Sequence, residues 1–108
     1  MLFHIAEQKD IERAQRVGEY IPDAFSRDGF IHCSYGEQVI AVANRLFSGR
    51  RDLVLLEIDP QKLSCRVIDE NLEGGRELYP HVYGPLPMAA IVAIHPFPCD
   101  KHGSFPMV

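Results

Sequence analysis

Three features that would assign this chain to a common functional class are missing from its sequence. The three cysteines, Cys33, Cys65 and Cys99, contain no Cys-x-x-Cys pair, so neither a structural zinc site nor a redox dithiol is predicted. The 11 basic residues are scattered, with one short cluster at 49–51, which does not favour binding along a nucleic-acid backbone. There is no long apolar run and no basic N-terminal region, so we expect neither a signal peptide nor a membrane span.

What is present is typical of a small globular domain. The chain has 108 residues, of which 46% are hydrophobic and 24% charged, and its net charge is −4. A chain of this length forms one domain, over 1–108, and can bury a core without disulfides. Three unpaired thiols are most simply explained by a reducing compartment, so we expect a cytoplasmic protein. The scattered charge still allows a single nucleotide or another small anion as partner.

Hydrophobic patterning predicts a small α+β domain with five or six strands and two main helices. The predicted helices cover 11–17, capped by Asp10 and stopped by Gly18, and the stretch between Ser34 and Gly49. Ser34 and Glu37 fit a capping box at the start of the second helix. The stretch 95–108 is expected to be an irregular C-terminal tail, because prolines and a glycine interrupt it. The predicted strands cover 2–6, 30–33, 53–58, 66–68, 79–83 and 88–94.

Three of the five histidines lie inside short apolar, strand-like runs. A histidine buried at such a position needs a partner for each ring nitrogen, so it is normally bonded or used. Alternate side chains of a strand share a face, and His4 and His32 can therefore face one cleft, with His81 as a third member. His32 also lies two residues before a predicted helix start, where free backbone N–H groups favour an anion.

Each of these residues also has a structural interpretation. Ser34 is predicted first of all as a helix cap, and His32 alone would more often be a satisfied structural histidine. Tyr83 can fill the core and bond its hydroxyl to the backbone. No His-x-His or i, i+4 histidine pair is present, so a metal site is not expected.

Two motifs carry a resemblance to a known family. Gly-Phe-Ile-His-Cys-Ser at 29–34 and Pro-His-Val-Tyr-Gly-Pro at 80–85, together with 3–5 and 53–59, resemble in order and spacing the bacterial family DUF952, a domain of unknown function. The resemblance covers nearly the whole chain. It implies a single DUF952-like domain and supplies no activity.

A more distant similarity, to the RNA 2′-phosphotransferases, implies a function. It is carried by Phe-His-Ile-Ala at 3–6, Ile-His-Cys-Ser at 31–34 and the apolar strand that ends at Asp59. The similarity implies the ADP-ribosyltransferase-like fold, a bent and split mixed β-sheet with an NAD cleft between its halves. His4 would then hold a cofactor ribose, and His32 and Ser34 would form the second-strand motif.

The remaining site residues follow from the same similarity. Glu70 and Glu77 are alternatives for the acidic residue that many ADP-ribosyltransferases use, and His81 is a third candidate for that place. Tyr83 would stack on a base, and Arg27 lies near the position of the phosphotransferase arginine.

These residues support two hypotheses. The first is a transferase or hydrolase acting at the ribose C1′ of NAD, with His4, His32, Glu70 and His81 as catalytic residues. The second is a non-catalytic module that binds a nucleotide or small anion in the same cleft. A carboxylate that reaches the histidine pocket would favour the first, and its absence there would favour the second.

Overall fold

A computed structural model describes residues 1–72 and 74–106. It confirms the α+β class, with antiparallel sheets and two longer helices. The helices are α1 (Gln8–Val17), the short α2 (Phe25–Asp28) and α3 (Val39–Leu46). The strands are β1 (Leu2–Glu7), β2 (Glu19–Tyr20), β3 (Ile31–His32), β4 (Leu53–Ile58), β5 (Val67–Glu70), β6 (Tyr79–Val82), β7 (Leu86–Pro87) and β8 (Ile91–Pro96).

The strands form two three-stranded sheets and one two-stranded sheet. Their orders are β1-β4-β8, β3-β6-β5 and β2-β7. Every strand pair among the described residues is antiparallel, including β1 and β4, which are joined through helices. The expectation of a mixed sheet is therefore wrong, although the division into separate sheets was expected.

One pair of backbone hydrogen bonds joins the two three-stranded sheets. The amide of Phe3 donates to the carbonyl of Ser34 at 2.8 Å, and the amide of Ser34 donates to the carbonyl of Phe3 at 2.7 Å. Because of this bridge, the segment that follows β3 runs beside β1. The two predicted strands that carry His4 and His32 are thus neighbours.

The apolar run of β4 is buried on both faces, as its composition predicts. Alternate side chains point to opposite sides, so Val54, Leu56 and Ile58 pack into one cluster while Leu53 and Leu55 pack into another. The first cluster lies under α1 and contains Ile11, Tyr20, Ile31, Val82 and Leu86. The second lies under α3 and contains Val39, Ala43, Phe97, Cys99 and Phe105.

The helix starts differ from the prediction. The helix α1 begins at Gln8, so Asp10 lies in its first turn and its carboxylate accepts from Arg13 at 3.0 Å instead of capping the helix. A 3₁₀ turn, Gly36–Gln38, precedes α3, and its cap is Tyr35, whose amide donates to Gln38 Oε1 at 3.0 Å. Ser34 is therefore not the cap.

The ends of the two longer helices and the C-terminal tail agree with the prediction only in part. Gly18 stops α1 with φ 94°, as predicted, because a left-handed residue ends the helix. α3 ends earlier than expected, at Leu46, and Gly49 lies in the turn that follows. The stretch expected to be an irregular tail begins inside β8, and Phe97 and Phe105 are buried and stacked. Its last two positions, 107 and 108, lie outside the described residues.

No helix within the described ranges is long and apolar enough to span a membrane.

Candidate functional site

His4 and His32 line one cleft, as predicted, whereas His81 lies beside His32 but is buried and does not line the cleft. His4 Nδ1 lies 2.6 Å from the carbonyl oxygen of His32, across the bridge between the two sheets. His32 on β3 is the register partner of His81 on β6, and their ring centroids are 5.4 Å apart. His4, His32 and His81, which are far apart in the sequence, are therefore consecutive neighbours and form one row of histidines.

An open cleft of about 420 Å³ lies beside this row, between β1, the segment before β3, and α3. Four of the predicted site residues line it: His4, Arg27, His32 and Ser34. The rest of the wall is mostly apolar and includes Phe30, Val42, Leu46, Phe47 and Leu72. A concave, mostly apolar wall with a few convergent polar groups is typical of a small-molecule site.

A smaller cavity of about 200 Å³ adjoins this cleft and shares His4, Phe30 and His32 with it. Its wall carries Tyr20 and acidic side chains, among them Asp10 and Asp23. Lys9 and Arg13 form ion pairs with these two carboxylates, at 3.0–3.6 Å. The acidic side chains are thus largely neutralised by their own neighbours.

Both ring nitrogens of His4 are engaged by the protein. Nδ1 lies at hydrogen-bond distance from the carbonyl of His32, so it carries the proton and donates. Nε2 then accepts from the hydroxyl of Tyr20 at 2.8 Å. Burial lowers the pKa of His4 from 6.5 to about 4, so the ring is neutral at physiological pH.

Glu70, His81 and Tyr83 form a second polar group behind His32. Glu70 Oε1 accepts from His81 Nδ1 at 3.0 Å and also from the Tyr83 hydroxyl. The hydrogen bond from Tyr83, and after it the one from His81, lowers the pKa of Glu70, so this carboxyl is ionised at neutral pH. Because an ionised carboxylate only accepts hydrogen bonds, Nδ1 of His81 carries a proton and donates to Glu70.

The remaining nitrogen of His81 is buried without a partner. His81 is 1% exposed, and the ring of Phe30 stacks on it with centroids 4.0 Å apart. No described residue forms a hydrogen bond with its Nε2. Leaving a buried polar atom unpaired costs about 1–3 kcal/mol, and in native proteins such an atom often has a functional reason.

Ser34 has a different role from the cap that the sequence predicts. Tyr35 and Gln38 supply the cap, and the Ser34 hydroxyl forms no hydrogen bond with a described residue. The residue is 4% exposed and lines the cleft. Its backbone is fixed by the bridge to Phe3, so the residue is held in place beside the cleft.

The other predicted residues are divided between the cleft and its surroundings. Arg27 lines the cleft, but its side chain is 76% exposed and its Nε donates to Asp28 at 3.1 Å. Glu70, His81 and Tyr83 do not line the cleft. Glu77, the alternative to Glu70, accepts from the side chains of Gln38 and Tyr79 instead.

A sequence model of the family described as protein of unknown function (DUF952) matches residues 5–94. The chain belongs to the DUF952 family. Solved structures similar to it include an X-ray crystal structure and a solution NMR structure of protein CC0527 from Caulobacter crescentus. The X-ray crystal structure is 28% identical, covers 97% of this chain and 92% of that chain, and has a TM-score of 0.86. The solution NMR structure is 29% identical, covers 95% and 89%, and has a TM-score of 0.82. No curated protein sequence matches the chain.

Sequence reasoning missed two parts of the site in this DUF952 domain. Tyr20, which bonds His4, lies outside every predicted helix and strand, and β2 and β7 are only two residues long each, too short to give a periodic pattern. Helical spacing from Val39 and Val42 predicts Leu46 on the core face of α3, but the residue is 54% exposed and lines the cleft. Its exposure could be recognised only from the early end of α3.

Among the residues that the structure describes, no three His, Cys, Asp or Glu side chains are grouped closely enough to hold a metal ion.

Proposed function

We propose that the cleft of this DUF952 domain binds NAD or a related nucleotide. The observation that carries the proposal is the cleft wall, which brings together Arg27, His32 and Ser34 from distant parts of the sequence, with the Ser34 backbone fixed by its bridge to Phe3. A volume of about 420 Å³ is in the range of small-ligand pockets. It suits one nucleoside half of a dinucleotide.

The wall of the cleft suits the parts of such a ligand. Phe30, Phe47 and Leu46 supply an apolar surface for a planar base. Ser34 can exchange hydrogen bonds with ribose hydroxyls, and Arg27 can pair with a phosphate at the open side. The proposed fold is the ADP-ribosyltransferase-like one, in which the divided antiparallel sheets would flank the nucleotide.

The test is isothermal titration calorimetry with NAD, AMP, nicotinamide mononucleotide and inorganic phosphate. We expect NAD or one of its halves to bind, and Arg27→Gln to weaken the binding of the phosphate-bearing ligands. Arg16→Gln on the exposed side of α1 is the matched control and leaves affinity unchanged. Absence of binding by every ligand at millimolar concentration would refute the proposal.

A second candidate function is transfer or hydrolysis at the ribose C1′. It is favoured by the ionised Glu70 held against His81 behind His32, since a carboxylate stabilises the positive charge of an oxocarbenium-like state. In hydrolysis the C1′–N bond breaks, water forms the new C1′–O bond and releases one proton to solvent, and nicotinamide leaves with the bonding electron pair as a neutral molecule. Because Glu70 does not line the cleft, non-catalytic binding is the function that we favour.

Chromatography of NAD incubated with the protein separates the two candidates. Release of nicotinamide that Glu70→Gln abolishes would establish turnover, whereas binding without release supports the binding module. We also propose a cytoplasmic location, in which the three free cysteines stay reduced, and cell fractionation tests it.

A further inference from the structure

We infer that His4 and Tyr20 are positioning residues of the cleft, which hold the His32 backbone against β1 and make no polar contact with the ligand. This inference rests on the proposed function, because it says how that same cleft is built. It differs from the role that the distant similarity implies for His4, which is to hold a cofactor ribose.

The first argument is the number of hydrogen bonds that an imidazole can form. His4 has two polar atoms, and both are engaged, Nδ1 with the His32 carbonyl at 2.6 Å and Nε2 with the Tyr20 hydroxyl at 2.8 Å. A ribose hydroxyl could bond His4 only by displacing one of these partners. The unbonded hydroxyl of Ser34, on the same wall, needs no such exchange.

The second argument is where the far end of this chain of bonds is anchored. Tyr20 is 1% exposed, belongs to the larger core cluster and is paired with Leu86 on β7. Its ring also contacts the edge of the His4 ring, with centroids 5.3 Å apart. Tyr20 therefore fixes His4 from the core, and His4 in turn fixes the backbone of His32, two residues before Ser34.

The third argument is charge. The groups around His4 are the His32 ring, the Tyr20 hydroxyl and the carboxylates that line the smaller cavity. The protonated ring would lose the acceptor nitrogen that Tyr20 uses, and burial already disfavours it. His4 therefore supplies neither a charge nor a proton to a ligand. The carboxylates that line the smaller cavity near His4 are Glu7, Asp10, Asp23 and Asp28.

The first experiment needs no ligand. Long-range ¹H–¹⁵N correlation spectra report which ring nitrogen of each histidine carries the proton. We expect His4 in the free protein to be the Nδ1–H tautomer and to stay neutral down to pH 5. An Nε2–H tautomer, or protonation near pH 6.5, would overturn the inference, even if NAD failed to bind and the proposed function were lost.

The second experiment separates positioning from simple contact. Tyr20→Phe removes the hydroxyl that bonds His4, at a position that does not line the larger cleft. We expect it to weaken NAD binding about two- to tenfold, the loss that corresponds to one net hydrogen bond. It should also leave Nε2 of His4 without the Tyr20 hydroxyl, while the His32 carbonyl still holds the Nδ1–H tautomer. The matched control is Tyr35→Phe, which removes a hydroxyl bonded to Asp69 and leaves affinity and tautomer unchanged. Unchanged affinity in folded Tyr20→Phe would overturn the positioning role.

Discussion

Replacing His4 by glutamine should flatten the dependence of stability on pH. The folded-state pKa of His4 lies near 4, whereas the unfolded chain has the ordinary value of 6.5. Below pH 6.5 the unfolded chain therefore binds a proton that the folded protein does not bind. Because the unfolded state binds more protons in this range, stability falls as the pH is lowered and rises as it is raised.

The size of the effect follows from the two pKa values. Between pH 6.5 and pH 5 the folded protein stays mostly unprotonated at His4 while the unfolded chain takes up its proton, so the loss of unfolding free energy steepens towards about 1.4 kcal/mol per pH unit. The contribution of His4 between pH 7.5 and pH 5 is thus about 2 kcal/mol. Glutamine has no titrating group, so His4→Gln loses the contribution of His4 to the pH dependence of the unfolding free energy. This holds even if the substitution also changes the stability at pH 7.5.

Urea unfolding curves at pH 7.5, 6.5, 5.7 and 5.0 measure the pH dependence of the unfolding free energy. The quantity compared is the change in unfolding free energy across the pH range, in the wild type and in His4→Gln. His95→Gln is the matched control, because His95 has a side chain that is 47% exposed and pairs with Glu57 at the surface. If His4→Gln keeps the wild-type dependence, His4 titrates normally in the folded protein and the argument for a neutral ring is wrong.

Three further predictions concern other residues. Ser34→Ala should weaken NAD binding about two- to tenfold in calorimetry and change the thermal midpoint little, because its hydroxyl bonds no described residue; a large loss of stability would contradict this. Glu70→Gln should lower the unfolding free energy measured by chemical denaturation at pH 7. The difference from the wild type should shrink as the pH falls below 4.5 and through the lowered pKa of Glu70, because the carboxylate is then protonated in both states. A difference that persists at acid pH would contradict this prediction. Gly84→Ala should lower the unfolding free energy by about 1–3 kcal/mol, because the added Cβ would lie 2.8 Å from the Cβ of Cys65; the penalty should be smaller in a Cys65→Gly background.

The parts of the fold that local pattern determines could be predicted from the sequence. The run 53–58 is apolar throughout and forms the strand buried on both faces, and Gly18 ends α1 because only glycine takes φ 94° easily. The convergence of His4 and His32 also followed from alternation along two strands, once these strands were assumed to be neighbours.

The parts that depend on contacts distant in sequence could not be predicted. Ser34 and Glu37 satisfy the capping pattern, but Gln38 also bonds the carbonyl of Leu78, and this contact favours the cap at Tyr35. The hydrogen bond between Tyr20 and His4 also depends on a contact distant in sequence, because β2 is held by pairing with β7, more than 60 residues away. Local propensity contains no information about either partner.

The bridge between Phe3 and Ser34 has a consequence for how binding and folding are coupled. A single pair of amide–carbonyl bonds joins the two larger sheets at this point, and the cleft opens directly beside it. Any molecule seated there would touch residues of both sheets and would act as an added crosslink between them. Saturation with such a molecule should therefore slow hydrogen exchange at the amides of residues 3 and 34 more than at the centre of β4, where β1 and β8 already protect the backbone from both sides.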